Sequence, residues 1–272
     1  MSRGPRTLTE KGCYHVVQKG AGGQQIFEDT EDRHYYLNLL NKSFQRYHMR
    51  LLAWCLMDNH THLLLDDSDT NMSEAFQRLG TGYAMFFKGK TGLEGPVFKD
   101  RFYSKPIEDD DQLLQAMRYI HDNPIKSGHV SLSEYRWSSF HEYMTEPWIT
   151  DTTTINALLG STENFYRFST SGIPNAYYIK TGRSISEQDY REVAEAALYP
   201  LRCVQVKSLE RSQRNEALLR LASVGLSLKQ IELVTGVPRS TVFKIIKKVE
   251  IKACPKNLPK KGARRCELPL KR

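Results

Sequence analysis

His60 and His62 stand one residue apart in an apolar run, and Tyr119 and Asn123 stand four apart further along the chain. Alternate side chains of a strand share a face, so His60-Thr61-His62 places two imidazoles side by side, where they can hold one divalent cation. Residues four apart on a helix also share a face, so Tyr119 and Asn123 point the same way. A phenol, with a reference pKa of about 10, is a weak nucleophile at neutral pH until it is activated or positioned. A cation on the histidines would polarise a phosphate placed before it, and the tyrosine would attack phosphorus. The resulting phosphotyrosine ester keeps the reactivity of a phosphodiester, so a second strand end can be joined. The side-chain oxygen of Asn123 is a candidate third ligand. Pro124 follows directly. The residue before a proline is pushed out of the α region, so the helix is expected to end there with Asn123 tilted off its ideal face. Taken alone, the histidine pair fits satisfied surface residues and the tyrosine fits a half-buried core position. Their combination points to phosphodiester chemistry.

The elements that must position these groups follow from periodicity. Cys13 to Lys19 reads as a first strand, closed by the turn Gly20-Ala21-Gly22-Gly23. A helix starts at Thr30 or Asp32 and runs to about His48, with Tyr36, Leu39, Leu40 and Phe44 on one face. Leu51 to Met57 and His60 to Leu65 are strands joined by Asp58-Asn59. Met72 to Phe87 reads as a second helix, Arg101 to Ile107 as a strand, and Asp109 to about Asp122 as a helix with acids in its first turn, where the dipole favours them. The order β-α-β-β-α-β, then a further helix, is the split βαβ plan of ferredoxin-like type. It gives an α+β domain, a largely antiparallel sheet with helices packed on one face. With Thr61, Leu63 and Leu65 facing that core, His60, His62 and Leu64 would lie on the open side.

Five pieces recur in a telling order: Tyr14-His-Val, Met57-Asp-Asn-His-Thr-His-Leu-Leu, Phe98-Lys-Asp-Arg-Phe, Tyr119-Ile-His-Asp-Asn-Pro-Ile-Lys-Ser-Gly and Tyr135-Arg-Trp-Ser-Ser. Each is weak by itself and the ordered set is specific. From about Tyr14 to Tyr143, roughly half the chain, this set resembles the HUH single-tyrosine transposases, most closely the REP-associated tyrosine transposase branch. The resemblance implies the HUH transposase fold, with His60 and His62 as a metal pair for Mg²⁺ or Mn²⁺ and Asn123 as third ligand. Tyr119 becomes the nucleophile. The implied activity is cutting and rejoining single-stranded DNA at hairpin-forming sequences, through a 5′-phosphotyrosine and a free 3′-hydroxyl. The family usually has a bulky apolar residue between the two histidines, where this chain has Thr61. Threonine fits a strand, so the geometry is expected to survive at some cost in packing.

For single-stranded DNA the chain offers cations interleaved with aromatics: Lys99, Arg101, Phe102 and Lys105, with Phe98 and Tyr103 between them. Aromatic faces stack on bases while cations track phosphates. A second nucleic-acid signal lies in the charge. The chain carries a formal +8, yet residues 205–272 hold 17 Lys/Arg against 5 Asp/Glu, and the preceding 204 hold 22 against 26. The basicity therefore belongs to the C-terminal quarter, as in a nucleic-acid-binding appendage. Within it, a helix to Val224, a second from Ser227 to Thr235, the turn Gly236-Val237-Pro238 and a third helix from Ser240 to Val249 make a small all-α helix-turn-helix domain. Arg239, Ser240 and Thr241 would approach base edges of a duplex, and Lys244, Lys247 and Lys248 would sit on phosphates.

The expected organisation is a catalytic domain at 1–145, a connector with short helices at 146–204, the helix-turn-helix at 205–252 and a disordered basic tail at 253–272. Five scattered cysteines suggest neither a disulfide framework nor a cysteine zinc site. No apolar run is long enough for a bilayer, and a cytoplasmic, nucleoid-associated protein is expected. A monomer and a homodimer both fit the sequence. Two other readings use the same residues: a non-catalytic regulator that binds DNA hairpins, and a hydrolytic nuclease with His121 as base.

Overall fold

The computed structural model describes residues 9–128, 131–171, 175, 177, 185 and 189–253, with side chains described up to residue 247. The alternating and continuous apolar runs form β1 (Cys13–Lys19), β2 (Arg50–Met57), β3 (His60–Asp66) and the short β4 (Tyr103–Pro106). Between them lie α1 (Thr30–Arg46) and α2 (Met72–Thr91), and α3 (Asp110–Lys126) follows β4. The strands pair antiparallel in the order β2-β3-β1-β4. This is the sheet of a split βαβ, ferredoxin-like domain, and the α+β class holds.

Tyr14 and Val16 of β1 and Leu63 and Leu65 of β3 face α1 and α2, where Tyr36, Leu40, Phe76, Leu79 and Tyr83 complete a dry core. Full burial of each such side chain contributes about 1.5–3 kcal/mol. Asp29 fixes the start of α1 by accepting the Asp32 N–H at 3.1 Å, a cap of the kind that satisfies an orphan donor.

The helices do not all lie on one face. The α3 residues Leu113, Ala116, Met117 and Ile120 are fully buried, and Tyr119 meets the His62 ring on β3, so α3 covers the face expected to be open. The reason lies in β2, where every residue from Leu51 to Met57 is buried. A strand without alternation is apolar on both faces and requires cover on both. Nor does α3 stop before its proline. It runs through Pro124 to Lys126, and Ser127 closes it by donating its N–H to the Asn123 carbonyl at 3.1 Å. Pro124 removes only the bond Ile120 would accept, one turn from the helix end, and Asn123 keeps its helical alignment.

The outer edge of β2 is sealed by the chain beyond α3. Leu56 donates its N–H to Trp137, Ser139 to Trp54 and Asp151 to Leu51. The carboxylate of Glu142 accepts from the Trp54 indole N–H at 2.9 Å and from the N–H groups of Trp148, Ile149 and Thr150 at 2.7–2.9 Å. Such cover protects an edge strand from pairing with other chains.

The chain divides into two compact units, Met1–Gly172 and Ile173–Arg272. The division falls inside the stretch expected to be a connector. In the first unit, α4 (Thr153–Leu159) precedes α5 (Thr162–Ser169), whose Phe165 stacks on Tyr143 at 4.5 Å. The second unit contains α6 (Tyr190–Leu198), α7 (Arg211–Ser223), α8 (Leu228–Thr235) and α9 (Arg239–Ala253). Its own core comprises Tyr190, Val193, Leu218, Leu221, Ile231 and Val242. Ser227 and Gln230 cap α8 reciprocally, and Gly236, at φ 69°, makes the left-handed turn toward α9. The basic tail from residue 254 lies outside the described residues. Among the described residues no helix is long and apolar enough to cross a membrane.

Candidate active site

His60 is the first residue of β3, set by a tightly held two-residue turn. The Asp58 carbonyl accepts the N–H groups of Ile26 and Phe27 at 2.8 and 3.1 Å, and its carboxylate pairs with Arg33. Gly20 donates its N–H to the Asn59 carbonyl at 2.8 Å, and a Cβ at Gly20 would stand 2.1 Å from the Gln24 carbonyl oxygen. The turn thus depends on a glycine there. Asn59 Oδ1 lies 2.6 Å from His60 Nδ1. An amide oxygen only accepts, so the His60 proton belongs on Nδ1 and its Nε2 lone pair faces away.

The His60 and His62 rings are 4.9 Å apart, so the alternation argument holds. A third imidazole joins them. His15 on β1 is fully buried, with Nε2 2.9 Å from His62 Nδ1. Burial, and then the nearby Lys19, push the His60 pKa down to about 4. Burial foremost also holds His15 and His62 well below the usual histidine range, with Lys105 acting on the first, and the two neighbouring histidines, Lys19 and Lys126 on the second. All three imidazoles are neutral at pH 7, the form in which an imidazole binds metal.

Tyr119 comes down from α3 onto this cluster, its ring 5.7 Å from both His15 and His62 and edge-on to each. The residue is 3 % exposed. Lys126, beyond the proline, lies over the ring with Nζ 4.2 Å from its centroid. Asn123 donates Nδ2–H to the Tyr119 carbonyl at 2.8 Å. On β4, Lys105 stands opposite His15 in the ladder, and burial lowers its pKa to about 8. Lys19, Lys105 and Lys126 thus place cations around three neutral imidazoles and a phenol. Among the described residues no three His, Cys, Asp or Glu side chains are grouped to hold a metal. His15 Nε2 is engaged by His62, so the imidazole donors that could hold a cation are those of His60 and His62. Those donors suit a divalent cation.

His15, Lys19 and Lys126 were not singled out from sequence as site residues. His15 sits in the Tyr14-His-Val motif, but only the β1–β3 pairing brings its ring to His62.

The single-strand patch is divided. Arg101 and Phe102 line an open groove of about 1090 Å³ with Phe76, Gly80, Lys88 and Phe98, on the α2 side. Lys105 is on the histidine side of the sheet, because Ser104 and Pro106, which line the groove, alternate with it along β4. Lys99 is exposed and donates its N–H to the Lys19 carbonyl at 2.8 Å.

In the second unit Ser240, Lys244 and Lys247 are exposed, and Thr241 is half-buried. Arg239 is tied to Glu232 by a salt bridge, and the Lys248 side chain is outside the described residues.

His121 cannot serve as a base facing the cluster. It is fully buried, its Nε2 is 2.8 Å from Ser139 Oγ, it packs against Phe140, Tyr143 and Phe165, and burial pushes its pKa down to about 3. Thr61 is buried on the α1 side, Oγ1 3.5 Å from the Tyr36 hydroxyl, which donates to Gln18 Oε1 at 2.6 Å. A polar neighbourhood receives the hydroxyl.

A family model described as transposase, IS200-like, matches residues 9–123. A Haemophilus influenzae protein assigned by name to the REP-associated tyrosine transposases is 28% identical over 156 residues, 52% of this chain and 86% of its own length. A solved REP-associated tyrosine transposase bound to a REP hairpin aligns with a TM-score of 0.46 and 20% identity, over 56% of this chain and 93% of that one. A solved Deinococcus radiodurans protein, assigned by name to the transposases, aligns at 0.32 and 17%, over 48% of this chain and all of that one. Residues 9–123, the stretch similar to the IS200-like transposases, supply His15, His60, His62, Tyr119 and Asn123.

Proposed function

We propose that the first unit is a metal-dependent single-stranded DNA endonuclease and strand transferase that acts on hairpin-forming repeats. The observation that carries this is the contact of the Tyr119 ring with His62, 5.7 Å between centroids, beside the His60 ring 4.9 Å from His62. His60 Nε2, His62 Nε2 and Asn123 Oδ1 would hold Mg²⁺ or Mn²⁺. Such an ion, when bound, neutralises charge on the scissile phosphate and makes its phosphorus more electrophilic.

The chain's own groups do the rest. Lys19, Lys105 and Lys126 draw the phosphodiester to the face of β1, β3 and β4, and the strand's approach displaces Lys126 from the Tyr119 ring. The Tyr119 oxygen forms a bond to phosphorus as the bond to the 3′-oxygen breaks. The phenol proton leaves as the 3′-oxygen gains one, giving a 5′-phosphotyrosine and a free 3′-hydroxyl. A second 3′-hydroxyl reverses the step and joins strands. Repeats as the substrate are supported by the similarity of residues 9–123 to the IS200-like transposases and by the REP association in the name of the Haemophilus influenzae relative. Arg101, Phe102 and Lys99 would guide the single strand along the α2 side.

The second unit is read as a helix-turn-helix that binds duplex DNA through Ser240, Thr241, Lys244, Lys247 and Lys248. Arg239 reaches bases only if DNA competes with Glu232.

The test is cleavage of end-labelled single-stranded hairpins, taken from repeats flanking the protein's own gene, with Mn²⁺. Cleavage lost in His60→Ala and in His62→Ala is expected. Tight hairpin binding without cleavage by the unaltered protein would favour a regulator that keeps the fold.

A further inference from the structure

His15 is outside the proposed ligand set, yet it touches both halves of the site. It is fully buried, its Nε2 is 2.9 Å from His62 Nδ1, and its ring meets the edge of Tyr119 at 5.7 Å. Its ladder partner on β3 is Leu64, so the ring reaches diagonally across the pair to His62.

Two imidazole nitrogens this close share one proton, with one donating and the other accepting. The choice decides what His62 offers. If His62 Nδ1 donates, its Nε2 carries a lone pair. If His15 Nε2 donates, His62 accepts at Nδ1, its proton moves to Nε2, and no lone pair is left for a ligand. His60 meets the same choice and is fixed by Asn59 at its own Nδ1. A matched pair of Nδ1 partners, one for each ring, is the arrangement that presents both Nε2 atoms.

We infer that His15 is a positioning residue that accepts the His62 Nδ1 proton, locks the tautomer and orientation of that ring, and so sets the affinity of the site for a divalent cation. This rests on the reading of His60 and His62 as a ligand pair. Partners of this kind orient ligand rings and raise their basicity, and their loss costs 10–100-fold in metal affinity. The usual partner is a carboxylate or a carbonyl. A neutral imidazole does the same in a fully buried position without the desolvation cost of a charge.

The test is Mn²⁺ titration of the full chain without DNA, read from the paramagnetic resonance of free Mn²⁺, with melting curves for each variant. Glutamine places an acceptor oxygen near the position of His15 Nε2, whereas asparagine is too short and phenylalanine fills the space without an acceptor. His15→Phe and His15→Asn should each bind about 10–100-fold more weakly, and His15→Gln should keep most of the affinity. Equal affinities for Gln and Asn would overturn the inference, and so would unchanged binding by a folded His15→Phe. Nitrogen-15 spectra of the unaltered protein give an answer free of folding effects. A proton on His62 Nδ1 with His15 Nε2 unprotonated is expected, and a proton on His62 Nε2 would overturn the inference. If Mn²⁺ binding is absent, or survives His60→Ala, the ligand-pair reading fails and takes this inference with it. If binding needs His60 and ignores His15, the inference alone fails.

Discussion

Acidification from pH 7.5 to 5 should unfold this protein, because burial keeps four imidazoles uncharged. They are His15, His60, His62 and His121, each with its pKa lowered by desolvation, to about 4 for His60 and about 3 for His121. A histidine of the unfolded chain titrates near 6.5, so below that pH the unfolded state binds protons that the folded state refuses. The stabilisation is present in full above 6.5 and is lost as pH falls toward the folded pKa. At pH 5 each such group costs about 2 kcal/mol, a figure fixed by the unfolded pKa once the folded one is well lower. Four groups sum to about 8 kcal/mol, which is comparable with the whole stability of an ordinary domain. Urea unfolding at fixed ionic strength with chelator, followed by far-ultraviolet dichroism, reads this directly. Near pH 5 the slope should approach four protons, or about 5 kcal/mol per pH unit. His121→Leu should remove a quarter of that slope, whatever it does to stability at neutral pH. A midpoint that stays flat from pH 7.5 to 5 would refute burial as the cause of neutrality in the imidazole cluster.

Other perturbations separate roles the fold keeps apart. Thr61→Val should change stability by no more than about 1 kcal/mol, since the contact of its hydroxyl with Tyr36 is long, at 3.5 Å. A loss above about 2 kcal/mol by urea unfolding would mean that the hydroxyl is an anchor. Phe102→Ala should weaken single-strand binding by about 1–3 kcal/mol, while Lys105→Ala should lower the cleavage rate at saturating DNA. Equal effects of the two on both quantities, by fluorescence anisotropy and single-turnover cleavage, would restore a continuous patch. Lys244→Ala with Lys247→Ala should reduce the slope of duplex affinity against salt by about 2, and an unchanged slope would move the duplex away from α9.

The side-chain placements that are local in sequence were legible there. His60 and His62 needed only the alternation of a strand, and Tyr119 and Asn123 needed only the turn of a helix. What failed was tertiary. The unbroken burial of Leu51–Met57 signalled a second covered face, but a short apolar run does not say which helix covers it. Pro124 suggested an early helix end and so hid Lys126, because a proline one turn from a C-terminus costs a single bond and packing outweighs it. His15 was in view as a motif residue without a role, since 47 positions separate it from His62 and only the sheet order joins them. The basic-aromatic stretch looked continuous because the irregular start at Arg101 and Phe102 masks the alternation that puts Lys105 on the other side.

Tyr119 as the nucleophile leaves a covalent trace on the protein. The measurement is mass spectrometry of protein incubated with Mn²⁺ and a single-stranded hairpin, then digested and mapped. A peptide containing Tyr119 that carries a 5′-linked nucleotide, absent in Tyr119→Phe, is expected. Cleaved DNA with free 5′-phosphate ends, no adduct, and full activity in Tyr119→Phe would contradict it.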